Sequence, residues 1–200
     1  MTTTLYLIRH GEVYNPDQIL YGRIPGYGLS EKGIQQAEQT AAFLADKNIS
    51  SVISSPLLRA RQTAEIIQRR LALLTNDIAE ETLEIRTEYQ GRPLSSLDSV
   101  QSDPYFKPLS PSDETIPQIA ERMSNFFKKQ IADNQGESLA MVGHGDPLMI
   151  LKAVLQKKPV TFESFKIQNG PYIAHGEIWK VITENNDDFL VESVFKPNIH

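Results

Sequence analysis

Leu5-Tyr6-Leu7-Ile8-Arg9-His10-Gly11-Glu12 opens on a short apolar run and ends in a cation, an imidazole, a glycine and a carboxylate. Four large apolar residues in succession predict a strand buried on both faces, as in a parallel sheet covered by helices. Leu139-Ala140-Met141-Val142-Gly143-His144-Gly145 repeats the arrangement far along the chain. If both strands run parallel, both imidazoles leave the sheet at its carboxyl edge, where α/β folds place their sites. A glycine after each histidine permits a sharp turn or a close backbone approach. His175-Gly176 repeats the dipeptide but comes ahead of its strand, which predicts a place elsewhere.

Outward from these runs, strands and helices alternate. Ser30 caps a predicted helix to about Lys47, with Ile34, Ala37, Ala41 and Leu44 as its apolar stripe. Val52-Ile53 reads as another buried strand. Ser54 or Ser55 then caps a helix with Pro56 in its first turn and Leu57, Ala60, Ala64, Ile67 and Leu71 on its inner face. Arg92 to Ser112 is rich in Pro, Ser and Asp and reads as a loop. Helices fit Ile116 to about Gln130 and Pro147 to Gln156. Late strands fit Tyr172 to Ile182 and Phe189 to Phe195, joined by a turn at Asn185 to Asp188. The pattern predicts an α/β fold: a three-layer sandwich with a mostly parallel central sheet flanked by helices. At 200 residues a single domain is expected, with a substrate loop near 92–112.

The bulk properties narrow the chemistry. A formal charge of −5 lacks the basic footprint of a nucleic-acid or membrane-surface protein, so neither partner is expected. The absence of cysteine removes disulfides, thiolate metal sites and cysteine nucleophiles. No signal-like leader opens the sequence, and no apolar run approaches the roughly 20 residues of a membrane span. A cytoplasmic protein is expected. Oligomeric state is not legible.

Arg9-His10-Gly11-Glu12 resembles the signature of the histidine phosphatase superfamily, which includes phosphoglycerate mutases and small-molecule phosphatases. Ser54-Ser55-Pro56-Leu57-Leu58-Arg59-Ala60-Arg61-Gln62-Thr63-Ala64 resembles that family's strand-to-helix segment, and Val142-Gly143-His144-Gly145 its distal histidine. Three elements in this order and spacing are specific where RHGE alone is not. The resemblance implies a phosphoglycerate mutase-like fold and metal-independent hydrolysis of a small phosphorylated substrate through a phosphohistidine on His10. No cofactor is implied.

The residue types suit that chemistry. A neutral imidazole at His10 can attack phosphorus, provided an acceptor such as a backbone carbonyl fixes its other nitrogen. Arg9 and Arg59 offer guanidinium forks for phosphate oxygens and for charge developing in the transition state. Arg59 and Arg61 lie about 100° to either side of Ala60 on a helix, so they do not reach one ligand; the family pattern selects Arg59. The resemblance makes His144 a further phosphate ligand. It calls for a glutamate as proton donor within Glu80 to Gly91, where mutase-like spacing falls on Leu83 instead. Glu84 is the nearest carboxylate and sits in an apolar stretch; Glu81 and Glu88 are the alternatives.

Other positions depart from the family form. Val13 stands where Thr is common, and Asn15 comes three residues after Glu12 where relatives often have Asn four after; it remains a candidate phosphate contact. Arg23, in Tyr21-Gly22-Arg23-Ile24-Pro25-Gly26, would bind a second anionic group or face water. Gly145 is a candidate phosphate contact beside His144. Glu114-Thr115 resembles a Gly-Glu-Ser element without its glycine, with a substrate contact or a helix cap at Ser112 or Asp113 as its two readings. Asp98, Asp103, Tyr105, Phe106 and Lys107 are the candidates for reading the leaving group, and the acidic residues among them disfavour a bisphosphate.

Two rival functions use the same residues. A mutase would return the phosphoryl group to its substrate, and such enzymes carry added segments that close the site. A binding module on an inactive fold would be expected to lose Arg9 or His10, and both are present. No HExxH pair or GxxxxGK[ST] loop supports a metal-dependent hydrolase or a P-loop enzyme.

Overall fold

The opening apolar run forms β1 (Thr3–Arg9), and its alternation sorts the core into two layers. Leu5 and Leu7 pack on one face of the sheet with Leu139, Met141 and Trp179; Tyr6 and Ile8 pack on the other with Val52, Ala140, Val142 and Ile178. The computed structural model describes residues 2–74, 76–97, 104–105, 107–162, 171–183 and 188–199. After β1 come α1 (Glu31–Leu44), β2 (Ile49–Ser54), α2 (Leu58–Leu71), β3 (Asn76–Ile78), α3 (Ile116–Asp133), β4 (Ser138–Gly143), α4 (Gly145–Leu155), β5 (Ile178–Thr183) and β6 (Leu190–Phe195). Helices α1 and α2 supply the layer over Tyr6 and Ile8, while α3 and α4 cover Leu5 and Leu7. The expected three-layer sandwich is the observed one.

The sheet runs β3-β2-β4-β1-β5-β6. Ladders β3–β2, β2–β4 and β4–β1 are parallel; β1–β5 and β5–β6 are antiparallel. The antiparallel entry of β5 beside β1 matters most for the site. It brings the start of β5 to the edge where β1, β2 and β4 end.

Several boundaries differ from expectation for identifiable reasons. In α1 the N-cap is Ser30, as expected, but Ile34 is 46% exposed while Gln36 and Thr40 are buried. The polar pair faces inward because it satisfies backbone: Gln36 accepts from the Glu12 amide (2.7 Å) and Thr40 donates to the Gly176 carbonyl (2.8 Å). Helix α2 begins after Pro56, with Leu57 as its cap residue and no side-chain cap. Ser54 and Ser55 stay at the strand end, and Leu57 and Leu71 are only half-buried. Neither Ser112 nor Asp113 caps α3. Thr115 does, in a reciprocal capping box with Gln118. Tyr172 precedes β5 rather than opening it. Asp98, Asp103 and Phe106, and most of the turn expected at Asn185 to Asp188, lie outside the described residues.

One close approach fixes the entry to the site. The backbone beyond β1 crosses the start of α1 so tightly that a Cβ at Gly33 would lie 2.0 Å from the Glu12 carbonyl oxygen, and one at Gly11 would lie 2.3 Å from that of Gly33. Overlap against rigid backbone cannot be relieved by a rotamer change. Gly33→Ala is therefore expected to lower stability by about 1–3 kcal/mol, read as a reduced urea midpoint at unchanged slope.

Candidate active site

Three parallel strands deliver their next residues to one point. His10 follows β1, Ser55 follows β2 and His144 follows β4; the His10 and Ser55 amides donate to the carbonyls of Gly143 (3.1 Å) and Val142 (3.0 Å). The rings of His10 and His144 meet edge to face, 5.2 Å between centroids. His175 joins them at 5.6 Å from His10. Its expected position elsewhere is thus corrected. Because β5 runs antiparallel, the residues ahead of it lie at the shared edge, where Gly176 N–H donates to the Arg9 carbonyl (2.9 Å).

The tautomer of His10 follows from its partners. Nδ1 lies 2.7 Å from the Gly11 carbonyl oxygen, which can only accept, so Nδ1 carries the proton. Nε2 is left with its lone pair and accepts from Arg59 Nε at 3.2 Å. Arg59 sits in the first turn of α2, only 1% exposed, with a second donor on the Gly22 carbonyl (2.8 Å) and its guanidinium 4.7 Å from the Tyr21 ring centre. One turn further along, Thr63 donates to the Arg59 carbonyl and accepts from the Gly11 amide (3.2 Å). Successive turns of one helix therefore hold both the cation and the histidine loop. Arg61 points away, paired with Glu65 in the open.

Arg9 donates to the Ile173 carbonyl (2.8 Å), lies 5.2 Å from the Tyr172 ring centre and leaves a buried Nε without a protein partner. His144 binds Ser55 Oγ through Nε2 (2.8 Å), and its buried Nδ1 has no hydrogen-bond partner. Burial, then Arg59 and His144, hold His10 well below the ordinary 6.5. His144 is likewise held well below it by burial, Arg59 and Arg9, and His175 is lowered to about 3 by burial and the same two arginines. The result is a cluster of neutral imidazoles beside two guanidiniums, a locally positive pocket suited to a phosphate.

Among the candidate acids, Glu84 is the one brought here. Its Oε2 lies 4.0 Å from His144 Nδ1, and its side chain is 16% exposed; Glu81 and Glu88 are exposed. Burial and the negative charge of Asp146 raise Glu84 to about 7, against the opposing pull of Arg59 and Arg9. A carboxyl that still holds its proton in about half of the molecules at neutrality can give it to an alkoxide.

The remaining candidates have other occupations. Asn15 uses both ends of its amide on the Ile19 backbone (2.9 and 3.2 Å), bracing its own loop. Arg23 is not a free second-anion site and keeps only part of its side chain in water: it pairs with Glu114 (2.8 Å) and donates to the Glu84 carbonyl (2.7 Å). Glu114 also binds Arg122 (2.7 Å) and the Arg86 amide (3.0 Å), while Arg122 holds the Glu81 carbonyl (2.6 Å). Glu114 thus clamps the segment that carries Glu84. Gly145 starts α4 under Tyr172, whose hydroxyl a Cβ there would meet at 2.2 Å. Tyr105 donates to Asp146 (2.9 Å), and the Lys107 backbone carbonyl accepts from Tyr89 (2.7 Å). Sequence reasoning did not single out Thr63, Asp146 or Tyr172, and used Ser55 only as a helix cap. Only the i, i+4 spacing of Thr63 from Arg59 offered a signal. Among the described residues, no group of three His, Asp or Glu side chains is placed to hold a metal ion, and no helix is long and apolar enough to cross a membrane.

The chain is similar to known proteins. The sequence profile described as "Histidine phosphatase superfamily (branch 1)" matches residues 5–175. The protein Rv0525 of Mycobacterium tuberculosis is 37% identical over 166 residues, which cover 78% of this chain and 80% of that one. The fructose-2,6-bisphosphatase TIGAR of Xenopus tropicalis is 33% identical over 140 residues, 62% of this chain but only 48% of that longer one. Among solved structures, the mycobacterial glucosyl-3-phosphoglycerate phosphatase Rv2419c superposes with a TM-score of 0.80 at 20% identity, covering 96% of this chain and 98% of that chain. This last likeness concerns the fold alone.

The Glu114 clamp has a measurable consequence. Glu114→Gln removes the charge facing Arg23 and Arg122, and should cost about 1–3 kcal/mol, since both arginines retain some solvent. Urea unfolding checks the loss. The stabilisation in the native protein should also fade as pH falls. Although burial opposes it, Arg122, the Arg86 amide and Arg23 hold the Glu114 carboxyl below its ordinary 4.5. A depressed folded-state pKa stabilises above the unfolded value and is lost as pH drops through the folded one.

Proposed function

The chain belongs to the histidine phosphatase superfamily, branch 1, and from that premise we propose that it hydrolyses the phosphomonoester of a small metabolite through a phosphohistidine on His10. The observation that carries this reading is the fixed tautomer of His10. Its proton is committed to the Gly11 carbonyl, and its Nε2 lone pair faces Arg59 inside the cationic cluster.

The steps follow from the geometry. A substrate phosphate displaces the Arg59 Nε contact from Nε2 and takes the guanidinium forks of Arg9 and Arg59 for its oxygens, with His144 Nδ1 as a further ligand. Nε2 attacks phosphorus as the ester P–O bond breaks in line. Charge on the phosphoryl oxygens is met by cations that are already in place. Glu84 gives its proton to the leaving alkoxide. As a carboxylate it then takes a proton from water, whose oxygen attacks phosphorus, breaks the P–N bond and restores both groups. No metal or cofactor enters these steps.

The names of relatives support a small phosphorylated substrate, fructose 2,6-bisphosphate for one and glucosyl-3-phosphoglycerate for another. A charge of −5 and a local cationic pocket favour such a ligand over nucleic acid. We read residues 1–200 as one catalytic domain.

Phosphate release from a panel of phosphomonoesters, measured in EDTA, tests the proposal. Release should survive the chelator and fall by at least about a thousandfold in His10→Ala; undiminished release in that variant would remove His10 as nucleophile. Glu84→Gln should lower kcat/KM about a hundred- to ten-thousandfold for alkyl esters and much less for a nitrophenyl ester, whose leaving group needs no proton. The native alkyl-ester profile should descend through pH 7, where Glu84 loses its proton. Its acid limb should show no step at 6.5, because His10 stays neutral there.

A further inference from the structure

Asp146, the second residue of α4, lies just beyond His144 and accepts two phenol hydrogen bonds. Tyr105 donates to one oxygen at 2.9 Å and Tyr172 to the other at 2.5 Å. Both oxygens acting as acceptors is the pattern of an ionised carboxylate. The two tyrosines come from separate segments. Tyr172 rests over Gly145 and faces the Arg9 guanidinium, so it spans from the phosphate cation to Asp146. It is nonetheless 45% exposed, open to a ligand.

From this geometry we propose that Asp146, Tyr105 and Tyr172 form the wall that reads the leaving group. The wall favours an uncharged or cationic, hydroxyl-bearing alcohol over one that carries a second anion. The proposal rests on the assignment of Glu84 as proton donor, because the ester oxygen must lie beside that carboxyl and the rest of the leaving group beyond it. Glu84 stands against the unpartnered His144 Nδ1. It also feels the charge of Asp146 more than that of any other neighbour. A second phosphate or carboxylate would therefore face a fixed negative charge in a partly desolvated site. Arg23, a candidate cation for a second anion, is already paired with Glu114. A hydroxyl or ammonium group instead meets acceptors, the Asp146 carboxylate and the phenol oxygens. The bisphosphate named for one relative is the kind of ester this wall excludes.

A matched pair of esters tests the wall. Glycerol 3-phosphate and 3-phosphoglycerate share a carbon skeleton and differ in a hydroxymethyl against a carboxylate. Native kcat/KM should favour glycerol 3-phosphate by about tenfold or more, and Asp146→Asn should shrink that ratio by about tenfold, mainly through a gain on 3-phosphoglycerate. Tyr172→Phe keeps the Asp146 charge and removes one phenol. It should preserve discrimination against the anion while lowering glycerol 3-phosphate turnover severalfold relative to phenyl phosphate. A native ratio near one, or a ratio unmoved by Asp146→Asn in a variant of native melting temperature, would overturn the proposal. If Asp146→Asn does not fold, equal losses on glycerol 3-phosphate and phenyl phosphate in Tyr172→Phe would do the same. Hydrolysis that persists in His10→Ala would instead sink the underlying phosphohistidine reading, so the two failures are separable.

Discussion

The site depends on a buried cation to which no carboxylate among the described residues is directly paired. Arg59 is almost wholly enclosed, yet its donors end on a carbonyl, an imidazole lone pair and the face of Tyr21. Burying a guanidinium with only neutral acceptors is costly, and the surrounding residues make it tolerable. Thr63 ties the same helix to the Gly11 amide, and the Gly11–Gly33 crossing admits no side chain to loosen the turn. The rigidity of the pocket and its appetite for an anion have one origin. A ligand that brings negative charge relieves an existing strain in the electrostatics, so ligand binding and stability are linked.

Much of this arrangement was legible in the chain because the signals were redundant. Apolar runs ending in His-Gly mark strands whose ends must share an edge if they are parallel, and helical periodicity separates Arg59 from Arg61 without any structure. What was illegible has physical causes. A two-residue alternation reads the same in either direction, so nothing in the residues before β5 says that the strand runs against β1. That one unknown misplaced His175. Apolar periodicity alone puts Ile34 on the inner stripe of α1, but Gln36 and Thr40 turn inward to serve the backbone of Glu12 and Gly176.

The charged residues of the loops illustrate a different limit. Arg23 and Glu114 lie far apart in sequence, and each alone reads as a ligand contact or a surface group. Their partnership, extended to Arg122 and the Arg86 amide, shows only in three dimensions. It converts a pair of candidate substrate contacts into a brace for the segment carrying Glu84. Glu84 itself is displaced by one residue from the spacing that the resemblance to mutases leads one to expect for the proton donor. Its position is set by these carbonyl clamps at Glu81 and Glu84 rather than by regular secondary structure.

The antiparallel strand beside β1 also bears on how the molecule is made. Arg9 takes its backbone acceptor from Ile173, 164 residues away, and β1 pairs with β4 and β5, both formed late in the chain. Contacts this distant in sequence close large loops and slow folding. A ribosome-bound chain that has emerged only as far as α3 holds His10, Arg9 and Arg59 but neither neighbour of the first strand. The cationic pocket is therefore absent from nascent chains, and its assembly coincides with completion of the sheet.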